Sequence, residues 1–426
     1  MTPQIKQRIE QIRRGEVPDG YKKTKVGIVP NEWEESRLSK YLVVNDEKNT
    51  NLQYGKEDVF SISGELGIVN QIELLGRSYA GASVAPYGIV YPNNVVYTKS
   101  PLKANPYGII KTNKTGKTGL VSTLYAVFHC KDNVSPDFVQ SYFESNQNLN
   151  RYLYPIVNIG AKHDMKISDE NSLKGWVVFP PLAEQKKIAE ILSAQDKLIA
   201  LKEKLIEEKK QQKKALMQQL LTGKKRLLGF SSEWKKQKMS DILCERKEEN
   251  KDQSLRICSV AVNSGVVNQR EHLGKSMAAS DTSNYNVVHY GDIVYTKSPT
   301  GAFPYGIVKQ SQLTENVAVS PLYGVYEPTS YEIGYLLNEY FMYPNNANGY
   351  LLPIINKGAK NTINISNATF ITPSLYLPTN FEEIKKLVQI FKVANKEIEI
   401  LRKDIDQEKQ KKKALMQLLL TGIVRV

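Results

Sequence analysis

The chain has 426 residues, 41% of them hydrophobic and 24% charged, with a formal net charge of +14. A chain of this length exceeds what one hydrophobic core organises, so two or more domains are expected, and no window holds the roughly 18 uninterrupted apolar residues of a membrane span. The three cysteines (Cys130, Cys244, Cys258) and four histidines (His129, His163, His272, His289) share no metal-binding spacing and suggest no disulfide framework, so no metal site is expected.

The opening MTPQIKQRIEQIRRGE is polar and helical where a signal peptide would be apolar, which assigns residues 1–25 to a helical segment and the protein to the cytoplasm. A module at 26–180 follows, entered through NEWEESRLSKYL from Asn31. Its short β-branched and aromatic runs, GIVYPNNVVYTKS, LVSTLYAVFHC and GWVVFP, are punctuated by Gly, Pro and Asn-Asn, and SPDFVQSYFESNQNLNRYL reads as helix, so the module is α+β. From Pro181 no further Pro or Gly appears until Gly223, which predicts a long helix over 181–223. At 1.5 Å per residue it extends roughly 55–60 Å.

The order then repeats. VVYTKSPLKANPYGIIK (Val95 to Lys111) returns 198 residues later as IVYTKSPTGAFPYGIVK (Ile293 to Lys309). GIVNQIELLGRS returns as GVVNQREHLGKS, and YLYPIVNIGAKHDMKIS as YLLPIINKGAKNTINIS, at the same offset; KKALMQQLLTG returns 199 residues on as KKALMQLLLTG. A period near 200 marks duplicated domains rather than a solenoid. The second module occupies 224–378, entered through SEWKKQKMSDIL from Ser232, and the second long helix 379–426, with Thr379 and Glu382 as a capping box.

Apolar residues recur at alternating three and four steps along both helices. In the second the line is Ile384, Leu387, Phe391, Ala394, Ile398, Leu401, Ile405, Leu415 and Leu419, broken by Glu408 and Lys412; in the first it is Ile188, Leu192, Ile199, Ile206, Leu216 and Leu220. Such stripes predict that the helices pack on each other as a coiled coil, and the connectivity makes them antiparallel, with one module at each end of a pseudo-two-fold dumbbell.

No catalytic arrangement recurs between the halves. NPY at Asn105 to Tyr107 lacks a proline of the methyltransferase motif it resembles, and its counterpart FPY at Phe303 to Tyr305 lacks the asparagine. GKT at Gly116 to Thr118 has Lys111 where a P-loop needs glycine, and Glu184 with Lys186 is best read as a helix-start charge. What recurs is polar, aromatic and basic, and the net positive charge favours a polyanionic partner. In YTKSP, alternation puts Tyr97 and Lys99 on one strand face and Thr98 and Ser100 on the other, with equivalents at Tyr295, Thr296, Lys297 and Ser298. With the following loops (Lys103, Asn105, Tyr107, Lys111; Tyr305, Lys309) and the Gly-Ala-Lys turns (Lys162, His163; Lys360, Asn361), these are the candidate DNA-contacting residues. The basic runs from Lys209, Lys224 and Lys409 read as solvated helix ends, a DNA channel or a partner surface.

PPLAEQKKIAEIL (Pro180 to Leu192), the paired LTG-ended helices and the entry GYKKTKVGIVPNEW (Gly20 to Trp33) resemble the specificity subunit of type I restriction–modification systems, over essentially the whole chain. The second helix departs, with LPTNFEEIKKL in place of PPLAEQKKI. The resemblance implies that each module is a target recognition domain reading one half of a split site in double-stranded DNA, and that the helices act as a ruler. It also implies a non-catalytic chain partnered by two modification subunits, which bring S-adenosylmethionine, and by restriction subunits, which bring ATP and Mg; the N-terminal helix would dock near the end of the second long helix. Since 12 of the 17 residues match in the opening repeat, the two half-sites are expected to be alike and the target nearly palindromic. The readings from other classes are a scaffold joining two proteins without touching DNA and a fused methyltransferase.

Overall fold

The structure, a computed structural model, describes residues 2–102, 104–159, 165–221, 223, 225–273, 278–357 and 363–426. The chain divides into two compact units, Met1–Glu203 with Asp404–Val426, and Lys204–Lys403. Both long helices, Leu182–Leu220 and Phe381–Leu419, contribute one part to each unit.

In the first unit a four-stranded antiparallel sheet has the order Leu42–Val44, Tyr125–Cys130, Val95–Thr98, Ile109–Thr112. The second unit repeats it as Leu243–Glu245, Gly324–Pro328, Ile293–Tyr295, Val308–Gln310. Each sheet is covered on both faces. Val95 and Tyr97 enter the larger apolar cluster of the first unit while Val96 and Val127 enter a smaller one behind it, and Ile293 with Tyr295 and Val294 with Val325 divide in the same way. Helices Pro136–Glu144 and Asn146–Leu153 lie where the sequence predicts helix, and Tyr331–Phe341 and Pro344–Leu351 are their counterparts in the second unit. Ser135 and Ser330 cap the first of each pair by accepting from the amides of Phe138 and Ile333.

Within each unit the helix segments run antiparallel. In the first, Gln195 Nε2 donates to Glu408 at 2.7 Å, Lys202 pairs with Glu408 at 3.0 Å and Asp404 at 2.8 Å, and Lys412 reaches Asp196 at 2.6 Å. The hydrogen bond from Gln195, then that from Lys202, lowers the Glu408 carboxyl to about 2. In the second unit Lys209 meets Glu397 at 2.6 Å and Lys213 meets Asn395 at 2.5 Å. The two residues that interrupt the apolar stripe are thus its polar cross-links. Ile199, Ile206, Ile398 and Ile405 are buried along the stripe, but Ile188, Leu192, Leu387 and Phe391 belong to the module cores, and Leu216, Leu401 and Leu415 are only partly covered. The buried face broadens to Met217, Leu221 and Val388 at the helix ends, because there each helix packs on a module as well as on another helix.

Two details depart from the sequence reading. Asn380, not Thr379, caps the second helix, accepting from the amides of Glu382 and Glu383 at 2.9 and 3.4 Å, while the Thr379 hydroxyl donates to the Glu233 carbonyl. Glu184 does more than complement a helix dipole. Buried in the first turn, it accepts from the Trp33 indole at 3.2 Å and from Arg425 through Nε and Nη2 at 2.6 and 2.8 Å. Glu383 is held identically by Trp234 at 3.3 Å and by Arg226 Nε and Nη2, both at 2.8 Å. Each arginine lies just past an LTG turn, whose glycine, Gly223 or Gly422, takes a left-handed φ of +68° or +71°. Alongside, the helix Pro3–Arg13 sends Arg8 to the Ile423 carbonyl at 2.6 Å, so the first helix does lie against the end of the last.

Removing Glu383 leaves a buried indole N–H and a guanidinium without their acceptor. Glu383→Ala should destabilise the chain by about 3–5 kcal/mol in urea unfolding, and adding Arg226→Ala should cost much less than the two single changes summed.

Candidate nucleic-acid interface

The repeated YTKSP stretch leads from the sheet into a hairpin loop at one rim of each module. Two backbone bonds close the loop tip, Leu102 with Asn105 at 3.0 Å both ways and Thr300 with Phe303 at 3.0 and 2.9 Å. The return is made by Gly108 (φ +91°) and Gly306 (φ +92°), where a Cβ would run into the carbonyl oxygen of Thr98 or Thr296. From inside, the Tyr97 hydroxyl donates to the Tyr107 carbonyl and that of Tyr295 to the Tyr305 carbonyl, both at 2.8 Å. From the neighbouring helix, Asn150 and Asn348 donate to the carbonyls of Ala104 and Ala302, both at 3.3 Å. The same brace is therefore built twice.

This geometry sorts the predicted residues. Tyr97, Thr98, Tyr295 and Thr296 are buried in the sheet, so they position the loop rather than offer donors at the surface; burial raises both tyrosine hydroxyls far above their ordinary range. Lys111 and Lys309 are buried beside the long helices rather than exposed on the loop. Asn105 is buried with its Oδ1 unpartnered, where the second module has Phe303 in its core.

Ser100 and Ser298 are exposed, and Tyr107 and Tyr305 partly so. Lys99 pairs with Asp169 at 2.7 Å, whereas Lys297 has no ion pair among the described residues, and its ammonium is shifted down by burial. Lys103, Lys162, His163, Lys360 and Asn361 lie outside the described residues.

Sequence reasoning missed two rim positions. Tyr154, 69% exposed, sets its ring edge-on to Tyr107 at 5.7 Å, and its counterpart Leu352 is 55% exposed. Their signal was available in the repeated YLYP and YLLP. Asp169 gave none, because its counterpart is Asn367, which donates to Glu245 instead.

No family model matches the sequence. Among solved structures the chain is similar to a type I restriction-modification system S subunit from M. genitalium, at 13% identity and a TM-score of 0.51, over 91% of this chain and 96% of that one. It is also similar, at 12% identity and a TM-score of 0.53, to a chain from a structure described as the basis of complex assembly and conformational transition of the type I R-M system, over 93% and 99%. The chain has the fold of type I specificity subunits. Within the specificity-subunit fold, the loop rims are where this chain's two modules keep the brace and change the residues it presents.

Gly108→Ala should destabilise the first module by roughly 1–3 kcal/mol from backbone strain alone, with the Thr98 clash added. Gly116→Ala, at a similar φ of +73° but in open space, should cost clearly less in the same denaturation series.

Proposed function

We propose that this chain is the DNA specificity subunit of a type I restriction–modification complex, each module reading one half of a bipartite target. The observation that carries this reading is the twice-built loop rim, a rigid brace under variable, exposed polar and aromatic residues, in a chain with a net charge of +14. Rigid main chain with exchangeable tips suits recognition of base edges, and the positive charge suits the phosphates around them.

The proposed contacts in the first module are Lys99, Ser100, Tyr107 and Tyr154, and in the second Lys297, Ser298, Tyr305 and Leu352. Lys103, Lys162, His163, Lys360 and Asn361 join them on sequence grounds. The chain itself performs no catalysis on this reading. The long helices set the spacing between half-sites and dock two modification subunits, which carry S-adenosylmethionine; restriction subunits with ATP and Mg complete the assembly. Because 12 of the 17 residues of the opening repeat match between the modules, the half-sites are alike and the target is nearly palindromic.

Sequencing methylated adenines in the host genome tests this directly: the expected motif is interrupted, with two halves similar after inversion, and unrelated halves would refute the palindrome. Binding of that duplex should weaken steeply with salt, and Lys297→Ala should reduce the slope of log K against log salt by about 0.9 if the ammonium meets a phosphate. A protein-joining scaffold would show no salt-dependent duplex binding at all.

A further inference from the structure

Beside the long helices each module buries a lysine from the repeated segment, and the two surroundings differ by one charge. In the first unit Lys111 lies near Lys412, whose ammonium is held by Glu144 at 2.8 Å and Asp196 at 2.6 Å, giving two cations and two carboxylates. In the second, Lys213 takes the place of Lys412 and is held by Glu339 at 2.8 Å and Asn395 at 2.5 Å. Sequence alignment puts Asn395 at the position of Asp196, and Glu339 one helical turn before the position of Glu144, which Met342 fills. Lys309 and Lys213 therefore share a single carboxylate.

Glu339 Oε1 accepts from Asn395 at 2.9 Å and its Oε2 lies 2.8 Å from the Lys213 ammonium with no hydrogen-bond donor of its own, while the Lys309 ammonium, in a residue only 4% exposed, donates no hydrogen bond among the described residues. Lys309 lines a cleft of about 880 Å³. On its rim Glu207 pairs with Lys210, and Glu399 with Lys396 and Lys403, while the Arg402 guanidinium has no partner among the described residues. The charges acting on Lys309 are Glu339 in favour and Lys213 against, and burial lowers its ammonium to about 8. A buried cation that must share its one carboxylate with a second cation is costly unless it loses its proton or gains an anion.

We propose that the cleft over Lys309 binds one small oxyanion of the phosphate class, with Lys309 at its base and Arg402 at its rim, in the place that Asp196 occupies by charge in the first module. The phosphate comes either from solution or from a nucleic-acid backbone. The site stands independently of the specificity-subunit reading.

Calorimetry with inorganic phosphate on the full chain tests the idea. Wild type should bind one phosphate, Asn395→Asp should weaken it by about tenfold or more, the scale of one added like charge, and Asp196→Asn should create a second site over Lys111. Lys309→Met should abolish binding without lowering thermal stability in phosphate-free buffer, which separates loss of the site from loss of the fold. Failure of wild type to bind, or undiminished binding by Asn395→Asp, overturns the proposal and leaves a neutral lysine in its place. Competition between duplex DNA and phosphate for the site assigns the backbone as the source; duplex binding unchanged by Asn395→Asp assigns the free ion. Both outcomes keep the site.

Discussion

A carboxylate buried in the first turn of each long helix governs the rest of the structure. Glu184 and Glu383 each receive an indole N–H and a two-pronged guanidinium, and a buried carboxylate stripped of such partners is expensive. The contact joins the entry to a module, the start of one helix, and the turn after the end of the other. In the first unit the carboxylate and its arginine are 241 residues apart, in the second 157. Sliding either helix by a turn, about 5.4 Å, would leave the carboxylate unpaired. The register it enforces then brings Gln195 and Lys202 to Glu408, so the polar breaks in the apolar stripe become cross-links instead of defects.

Duplication kept main-chain roles more faithfully than charge pairs. Asn94 accepts from the Tyr91 amide and Asp292 from that of His289, the same turn in both modules. The rest of the side chain has diverged, since Asn94 Nδ2 donates to His129 Nδ1 while Asp292 forms a two-pronged pair with Arg246. The lysines on the long helices likewise find their acids one turn apart on equivalent helices. A turn tolerates only a few side chains, whereas a buried cation accepts a carboxylate from any direction that brings it within reach, so the former is conserved between copies and the latter rewired.

The long helices and the repeat were legible because both are local signals: a stretch of about 40 residues without Gly or Pro, apolar spacing of three and four, and runs of near identity. The rim loops were legible as a repeated surface-like stretch, but not which residues faced out. Alternation correctly separates Tyr97 from Thr98, yet it says nothing of the apolar clusters lying on both faces of the strand, and neither side chain reaches the surface. The burial of Lys111 and Lys309 was illegible for the same reason: what covers them comes from helices elsewhere in the chain. Glu184 read as a capping charge because its arginine lies at the other end of the sequence.

The division between brace and tip also bears on how a duplicated reader changes its target. Tyr97, Gly108 and Asn150 fix the path of the first loop through main-chain contacts alone, and Tyr295, Gly306 and Asn348 do the same in the second. Since carbonyl oxygens are common to all residues, the tip can pass from Leu102 to Thr300, or the rim from Tyr154 to Leu352, without disturbing what holds it. Burial keeps the tyrosine hydroxyls protonated, so they remain donors whatever the neighbouring side chains do. On the proposed function, divergence between half-sites is then confined to a few exposed side chains, while the Trp–Glu–Arg contacts in each unit hold the modules to their helices unchanged.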